Sequence, residues 1–255
     1  NPRRGMGNII NRVFESAGPD GKVRGTPQQI IDKYQALARD AQVSGDRAAY
    51  LQAATDLLVA DLTEMVDNWD ADGPARAAVT ADPQAGVLAA LTGMGSLSYG
   101  ELAGERIKLG LMLNDPEEEH DCFSDNTHNS HFYDGVGIRN VYLGTYTRLD
   151  GSVLQGPSLS ELVAAANPAV DSQLTTKLDA SVDALQAVKD AGDAGRTFDT
   201  LIAPGNAEGE TLIMAAVDAL VTQTASIDRA VTALGLSKVE FEGSDSLDSP
   251  GAVFQ

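Results

Sequence analysis

Apolar residues recur every three or four positions through long stretches of this chain. Leu51, Ala54, Leu58, Leu62, Met65 and Trp69 form one such run, and Ile213, Val217, Leu220, Thr224, Ile227, Val231 and Leu234 form another. That spacing places each set on one face of an α-helix. It predicts helices over about residues 47–69 and 208–234, the second stopped by Gly235. Thr26-Pro27 joins a capping residue to a proline suited to the first helical position, and predicts a helix to about Val43 with Ile30, Ile31, Tyr34, Leu37 and Ala41 on one side. Ser44-Gly45-Asp46 breaks or kinks it. Residues 70–83 read as a polar connection. A helical region follows over 83–113, with a soft point at Gly93-Met94-Gly95-Ser96. Gly100, Gly104 and Gly110 weaken that helix but allow close packing. A further helix is expected over 132–147. Ser158-Leu159-Ser160-Glu161 is a capping box that opens another over 159–189. Period-two alternation is missing, and no internal repeat is visible. The expectation is an all-α protein, a helical bundle around one core with little or no sheet, in which Leu58, Leu62 and Trp69 are buried.

Charge divides the chain. Residues 1–48 carry eight basic and five acidic groups, and the remainder carries ten basic and 32 acidic. The net charge of −19 and an aromatic content of 5% argue against nucleic acid and anionic lipid as partners. No apolar run is long enough for an integral membrane segment. Arg3 and Arg4 are followed by no apolar stretch, so no signal peptide is read. A single cysteine, Cys122, excludes an intramolecular disulfide. The boundaries expected are a basic arm and helix over 1–48, a helical bundle over 49–235 and an acidic C-terminal tail over 236–255.

Candidate chemistry is concentrated between Glu119 and His131, which hold all three histidines and the cysteine. Asp125, His128 and His131 follow one another at intervals of three. On a helix they offer a carboxylate and two imidazoles to one cation, a donor set suited to zinc or ferrous iron. The bland alternative has His128 bridging helices and His131 exposed. Cys122 is more simply a small apolar residue than a nucleophile. Glu101 and Glu105, beside Arg106, either add carboxylates to a core site or form ion pairs.

Several runs carry a resemblance. They are Tyr50-Leu51-Gln52-Ala53-Ala54-Thr55-Asp56, Leu91-Thr92-Gly93-Met94-Gly95-Ser96-Leu97-Ser98, Gly100-Glu101-Leu102-Ala103-Gly104-Glu105-Arg106, Glu119-His120-Asp121-Cys122-Phe123-Ser124-Asp125-Asn126-Thr127-His128 and Gly137-Ile138-Arg139-Asn140-Val141-Tyr142. Through them residues 49–255 resemble the imelysin-like family, especially its iron-regulated branch. Residues 1–48, through Asn11-Arg12-Val13-Phe14-Glu15 and Lys33-Tyr34-Gln35-Ala36-Leu37, resemble a short basic bacterial domain of unknown function. The first resemblance implies an up-down helical fold, a periplasmic or cell-envelope location and a role in iron uptake, and some members are classed as metallopeptidases. The family pairs two bundles. A Gly-x-His-x-x-Glu motif on the first faces the Phe-Ser-Asp-x-Thr-His segment of the second, which here is Phe123 to His128.

This chain departs from that pattern. No Gly-x-His-x-x-Glu is present, and the residues three after each histidine are Phe123, His131 and Asp134. The expectation is therefore one bundle with the first bundle absent. The function expected is a metal-associated binding protein of the bacterial envelope, linked to iron uptake. Asp125, His128 and His131 would hold iron or zinc weakly, their set completed by the missing first bundle or another protein subunit. The alternatives are a metallopeptidase of the imelysin type and a non-enzymatic interaction module using the basic N-terminal helix.

Overall fold

The computed structural model describes residues 45–254, and the helix expected over 27–43 lies outside them. The chain divides into two units, described separately. In the first, helix α1 (Gly45–Trp69) is followed by a turn closed by the Gly73 amide on the Asp70 carbonyl, and then by α2 (Pro74–Ala81). The 70–83 connection thus contains a helix the sequence pattern did not reveal. Gly73-Pro74 starts it, proline occupying a first-turn position whose amide has no helical partner. One expectation fails here. Leu58, Leu62 and Trp69 are 57%, 54% and 51% exposed, not buried. The heptad-like stripe exists, but among the described residues of this unit the main neighbour of α1 is the short α2, whose residues are not buried either.

The second unit, residues 87–146 and 153–255, is the all-α bundle the sequence predicts. Its first member begins in α3 (Pro83–Ser96), continues as a π-helix (Leu97–Lys108) and ends in α4 (Leu109–Leu113). Asn114, at φ 52°, closes it in the left-handed region, and its side chain donates to the Leu111 and Ile202 carbonyls. Next come α5 (Thr127–Leu143), a two-stranded hairpin of β1 (Thr145–Thr147) and β2 (Val153–Gln155), and α6 (Leu159–Ala166). The Ser158–Glu161 capping box is present as expected. The helix predicted over 159–189 is divided, because Pro168 forces Asn167 into an extended conformation. Asn167 then accepts from Ala169 and Val170 to start α7 (Pro168–Asp193). After α8 (Phe198–Leu201), Asn206 caps α9 (Ala207–Ala233), and Gly235 at φ 67° follows its end. No helix among the described residues is long and apolar enough to cross a membrane.

The core has two apolar clusters. One gathers Leu102, Leu185, Phe198, Ile213 and Leu220, the other Leu91, Met94, Ile138, Leu178 and Ile227. Along three helices the residues between them are polar. Ser98 lies between Met94 and Leu102, Ser181 between Leu178 and Leu185, and Gln223 between Leu220 and Ile227. These three meet. Ser181 donates to Gln223 Oε1, Gln223 Nε2 donates to Ser98 Oγ at 2.7 Å, and Ser98 donates to the Met94 carbonyl at 2.6 Å. A satisfied buried layer of this kind fixes the axial register of the helices. Gln223→Ala removes the hub and leaves a void. It should cost about 1–2 kcal/mol, read as a lower urea midpoint at unchanged slope.

The glycines of the first bundle helix also find their reason. At Gly95, Gly100 and Gly104 a Cβ would collide with Phe241, the Glu242 backbone and Ser244 respectively. The acidic C-terminal segment runs along this groove and turns into α10 (Asp245–Asp248). Glu242 N donates to Ser96 Oγ at 3.0 Å, Ser246 Oγ to the Gly104 carbonyl at 2.9 Å, and Tyr99 to Asp248 at 2.6 Å. The π-helix sets the Glu101–Arg106 pair as well. Arg106 Nε donates to Glu101 Oε1 at 2.8 Å across five residues, the step of i→i+5 winding.

Candidate functional site

Helix α5 begins at Thr127, five residues earlier than its sequence pattern suggested. Its buried stripe is Thr127, His128, His131, Gly135, Ile138 and Tyr142. Steps of three and four carry this stripe from the apolar core into the histidines, so both imidazoles occupy core-facing positions. His131 is 1% exposed, which sets aside the exposed reading. Its ring packs edge-on against Phe198, 5.1 Å between centroids, and lies 5.8 Å from the ring of His120. Neither ring nitrogen of His131 has a hydrogen-bond partner. Burial is the main cause of its depressed pKa, about 3, with the nearby His120, Arg106 and His128 adding to it.

His128 lies against α7. Its ring fills the space a Cβ on Gly192 would need. Nε2 is 3.0 Å from Asn129 Nδ2 and 3.4 Å from Asp193 Oδ1, and Asp193 also pairs with the buried Lys189. Nδ1 is buried without a partner. Burial lowers the pKa of His128, Asp193 opposes that shift and Lys189 reinforces it. Both α5 histidines are therefore held neutral at pH 7, the form that binds metals.

Asp125 is not on the helix. It precedes the start of α5 at φ 52°, in the left-handed conformation that Asp tolerates better than most residues, and it is exposed. The three-residue spacing therefore places His128 and His131 on one face, as expected, and leaves Asp125 in the turn before it. Burial raises the pKa of Asp125, Asp199 adds to the rise, and His128, within Coulombic range, opposes it without reversing it.

Sequence reasoning passed over Glu119. Its side chain is 6% exposed and Oε2 has no partner. Burial lifts its pKa to about 7, the Thr127 hydroxyl opposes this, and Asp199, Asp125 and Asp121 raise it further. The available signal was its position as the last of three consecutive glutamates, immediately before the first histidine. The Thr127 hydroxyl also accepts from the Asp121 amide at 2.9 Å, and Ser130 donates to Asp121 Oδ2, which folds the Glu119–Asn126 segment onto the head of α5. His120 stays near the surface, its Nδ1 3.9 Å from Asp134 Oδ2. Cys122 is no activated thiolate, because burial and then Glu117, Glu119, Asp121 and Asp125 all push its pKa up.

The donors are chemically suited to a metal. Buried polar atoms without partners call for a ligand, a water or a conformational change, and three ring nitrogens and Glu119 Oε2 are of this kind. The geometry is incomplete, since no group of three or more His, Cys, Asp or Glu side chains among the described residues is arranged to hold a metal ion. A cavity of about 320 Å³ lined by Lys108, Met112, Glu210 and Met214 contains none of the candidate donors.

An α-helical bundle with paired core histidines behind an acidic turn defines the class of protein. Residues 18–227 match the imelysin family, peptidase M75, and the chain belongs to that family. The match includes most of the basic N-terminal segment, residues 18–48. No curated protein matches the chain.

Proposed function

We propose that this chain is a metal-associated binding protein of the bacterial cell envelope, of the iron-regulated branch of its family, acting in iron uptake without peptidase activity. The observation that carries the reading is the pair of neutral core histidines, His128 and His131, with unpartnered ring nitrogens, and with Asp125 near enough to His128 to interact with it electrostatically. Asp125 and His128 would hold iron or zinc, with His131 the weaker contributor because it is enclosed. A bound cation would supply charge to an acidic, partly dehydrated site. Within the chain, Asp193 and Gly192 position the His128 ring, and Thr127 and Ser130 hold the acidic turn over it. Without a closed set of three donors, affinity is weak until another subunit or bundle adds ligands. The missing Gly-x-His-x-x-Glu leaves metal-bound water with no Glu of that motif as its base, which favours binding over hydrolysis.

Calorimetric titration of Zn²⁺ and Fe²⁺ into wild type, Asp125→Ala and His128→Ala tests this. Wild type should bind weakly, each variant should lose roughly tenfold or more in affinity, and binding should weaken only at a pH below the ordinary histidine value of about 6.5, because burial lowers the His128 pKa and delays the point at which protons compete with the metal for its ring. Equal heats for all three proteins would remove the assignment. Chelator-sensitive cleavage of a protein substrate by the pure chain would replace it with the peptidase reading.

A further inference from the structure

A neutral imidazole carries its proton on one ring nitrogen and a lone pair on the other. The lone pair is the metal donor, and the N–H faces whatever orients the ring. In His128, Nδ1 is buried and has no hydrogen-bond partner. Nε2 has two neighbours, Asn129 Nδ2 at 3.0 Å and Asp193 Oδ1 at 3.4 Å. The two are not equivalent. A primary amide can turn either end to the ring, so Asn129 suits both tautomers. A carboxylate accepts and cannot donate, so Asp193 attracts an N–H at Nε2 and repels a lone pair there. The opposite tautomer would also bury an N–H at Nδ1 with no acceptor, which folded proteins rarely tolerate. A lone pair at Nδ1 is instead an open position for a cation.

Asp193 is itself anchored. Its Oδ2 pairs with Lys189 Nζ, one turn earlier on α7, and Lys189 is 5% exposed. One carboxylate oxygen thus serves the ammonium and the other faces the ring. Gly192 completes the seat. The ring atoms nearest to where its Cβ would be are Cγ, Cδ2 and Nδ1, so α7 meets the flat face of the ring and lies off the in-plane direction of the Nδ1 lone pair. Given the metal-binding function proposed above, on which this rests, we propose that Lys189 and Asp193 lock the proton of His128 onto Nε2 and so make Nδ1 the donor atom to the cation. Asp193 is then a positioning residue that acts through the tautomer of His128.

Long-range proton–nitrogen correlation spectra of the isotopically labelled, metal-free chain report the tautomer of each of its three histidines, and His128→Gln identifies which signals belong to His128. Wild type should show Nε2 protonated and Nδ1 bare. Asp193→Asn keeps the shape and changes the chemistry. The Lys189 ammonium claims the amide oxygen, the amide NH2 turns to the ring, and the proton should move to Nδ1. Calorimetric titration of Zn²⁺ should then show binding weaker than wild type by roughly tenfold or more. Lys189→Met with Asp193→Asn removes the buried charge that the single change leaves unpaired and frees the amide to turn. It should show mixed tautomers, with Zn²⁺ affinity within about threefold of wild type, the cost of a ring that is competent part of the time. A wild-type His128 protonated on Nδ1, or a tautomer indifferent to Asp193→Asn, would overturn the lock. Where Asp193→Asn does not fold, the double variant decides, and a His128 held there wholly in the wild-type tautomer would overturn the lock. Equal Zn²⁺ affinity in wild type and Asp193→Asn would overturn Nδ1 as the donor. Tautomers as expected with no Zn²⁺ binding by wild type would overturn the metal-binding function and leave the lock standing.

Discussion

Gly192→Val should unfold the bundle at markedly lower urea than wild type, a loss of about 3 kcal/mol. Gly192 lies in the last turn of α7, and any Cβ there enters the ring of His128. That ring has little room to yield, because His128 is 7% exposed and its Nε2 is held beside Asn129 and Asp193. Overpacking a filled site costs about 1–3 kcal/mol and sometimes more, and a β-branched residue adds bulk on both sides of χ1. The effect should be local to the pair. His128→Ala empties the space the valine needs, so the double variant should recover about 1–2 kcal/mol relative to the sum of the single changes. Additive losses would show that Gly192 is needed for backbone reasons and does not position the imidazole. The same cycle bears on the proposed site, since Gly192→Val shifts His128 without altering a single donor.

The parts of the fold that could be read from sequence are those where one local rule acts alone. The capping box at Ser158, the stop at Gly235 and the stripe of α9 depend on residues within a turn or two of each other. The errors arise where a second rule intervenes. Asn167-Pro168 divides a helix whose apolar rhythm continues through it, because proline removes a donor and straightens its predecessor. The stripe of α1 gave the helix correctly and its burial wrongly, because periodicity reports a face and not what lies opposite. Gly100 and Gly104 read as helix weakeners, yet they make room for Glu242 and Ser244, more than 130 residues away in sequence.

The site shows the same division. Spacing correctly paired His128 and His131 on one face, and continuing the stripe back from Tyr142 and Ile138 would also have shown that both point inward. Asp125 escaped the helical argument because α5 starts after it. Glu119 was not legible as special, since its burial depends on Thr127 and on the fold of the turn and not on its neighbours in sequence.

Stability should follow a plateau in pH set by Glu119 and His131 acting in opposite directions. His131 has its folded pKa lowered from 6.5 to about 3. Below about 6.5 the unfolded chain takes up a proton that the folded chain refuses, so stability is lost as pH falls from about 6.5 toward 3. Glu119 has its folded pKa raised from 4.5 to about 7. Between those values the folded chain holds a proton the unfolded chain releases, so its contribution is full below 4.5 and is lost as pH rises to about 7. Between about 4.5 and 6.5 the two slopes cancel. At about 1.4 kcal/mol for each pKa unit, Glu119 removes roughly 3 kcal/mol by pH 8 and His131 somewhat more by pH 3. Glu119→Gln should therefore raise the urea midpoint at pH 8 and leave it nearly unchanged at pH 4. His131→Gln should flatten the acid limb, so its deficit relative to wild type shrinks steadily from pH 7 to pH 3. A Glu119→Gln protein that kept the wild-type plateau between about pH 4.5 and 6.5 and its fall toward pH 7 would mean that Glu119 is solvated and ionised in the fold, its Oε2 reached by water at the head of α5. It would then be no more than a surface acid beside the histidines.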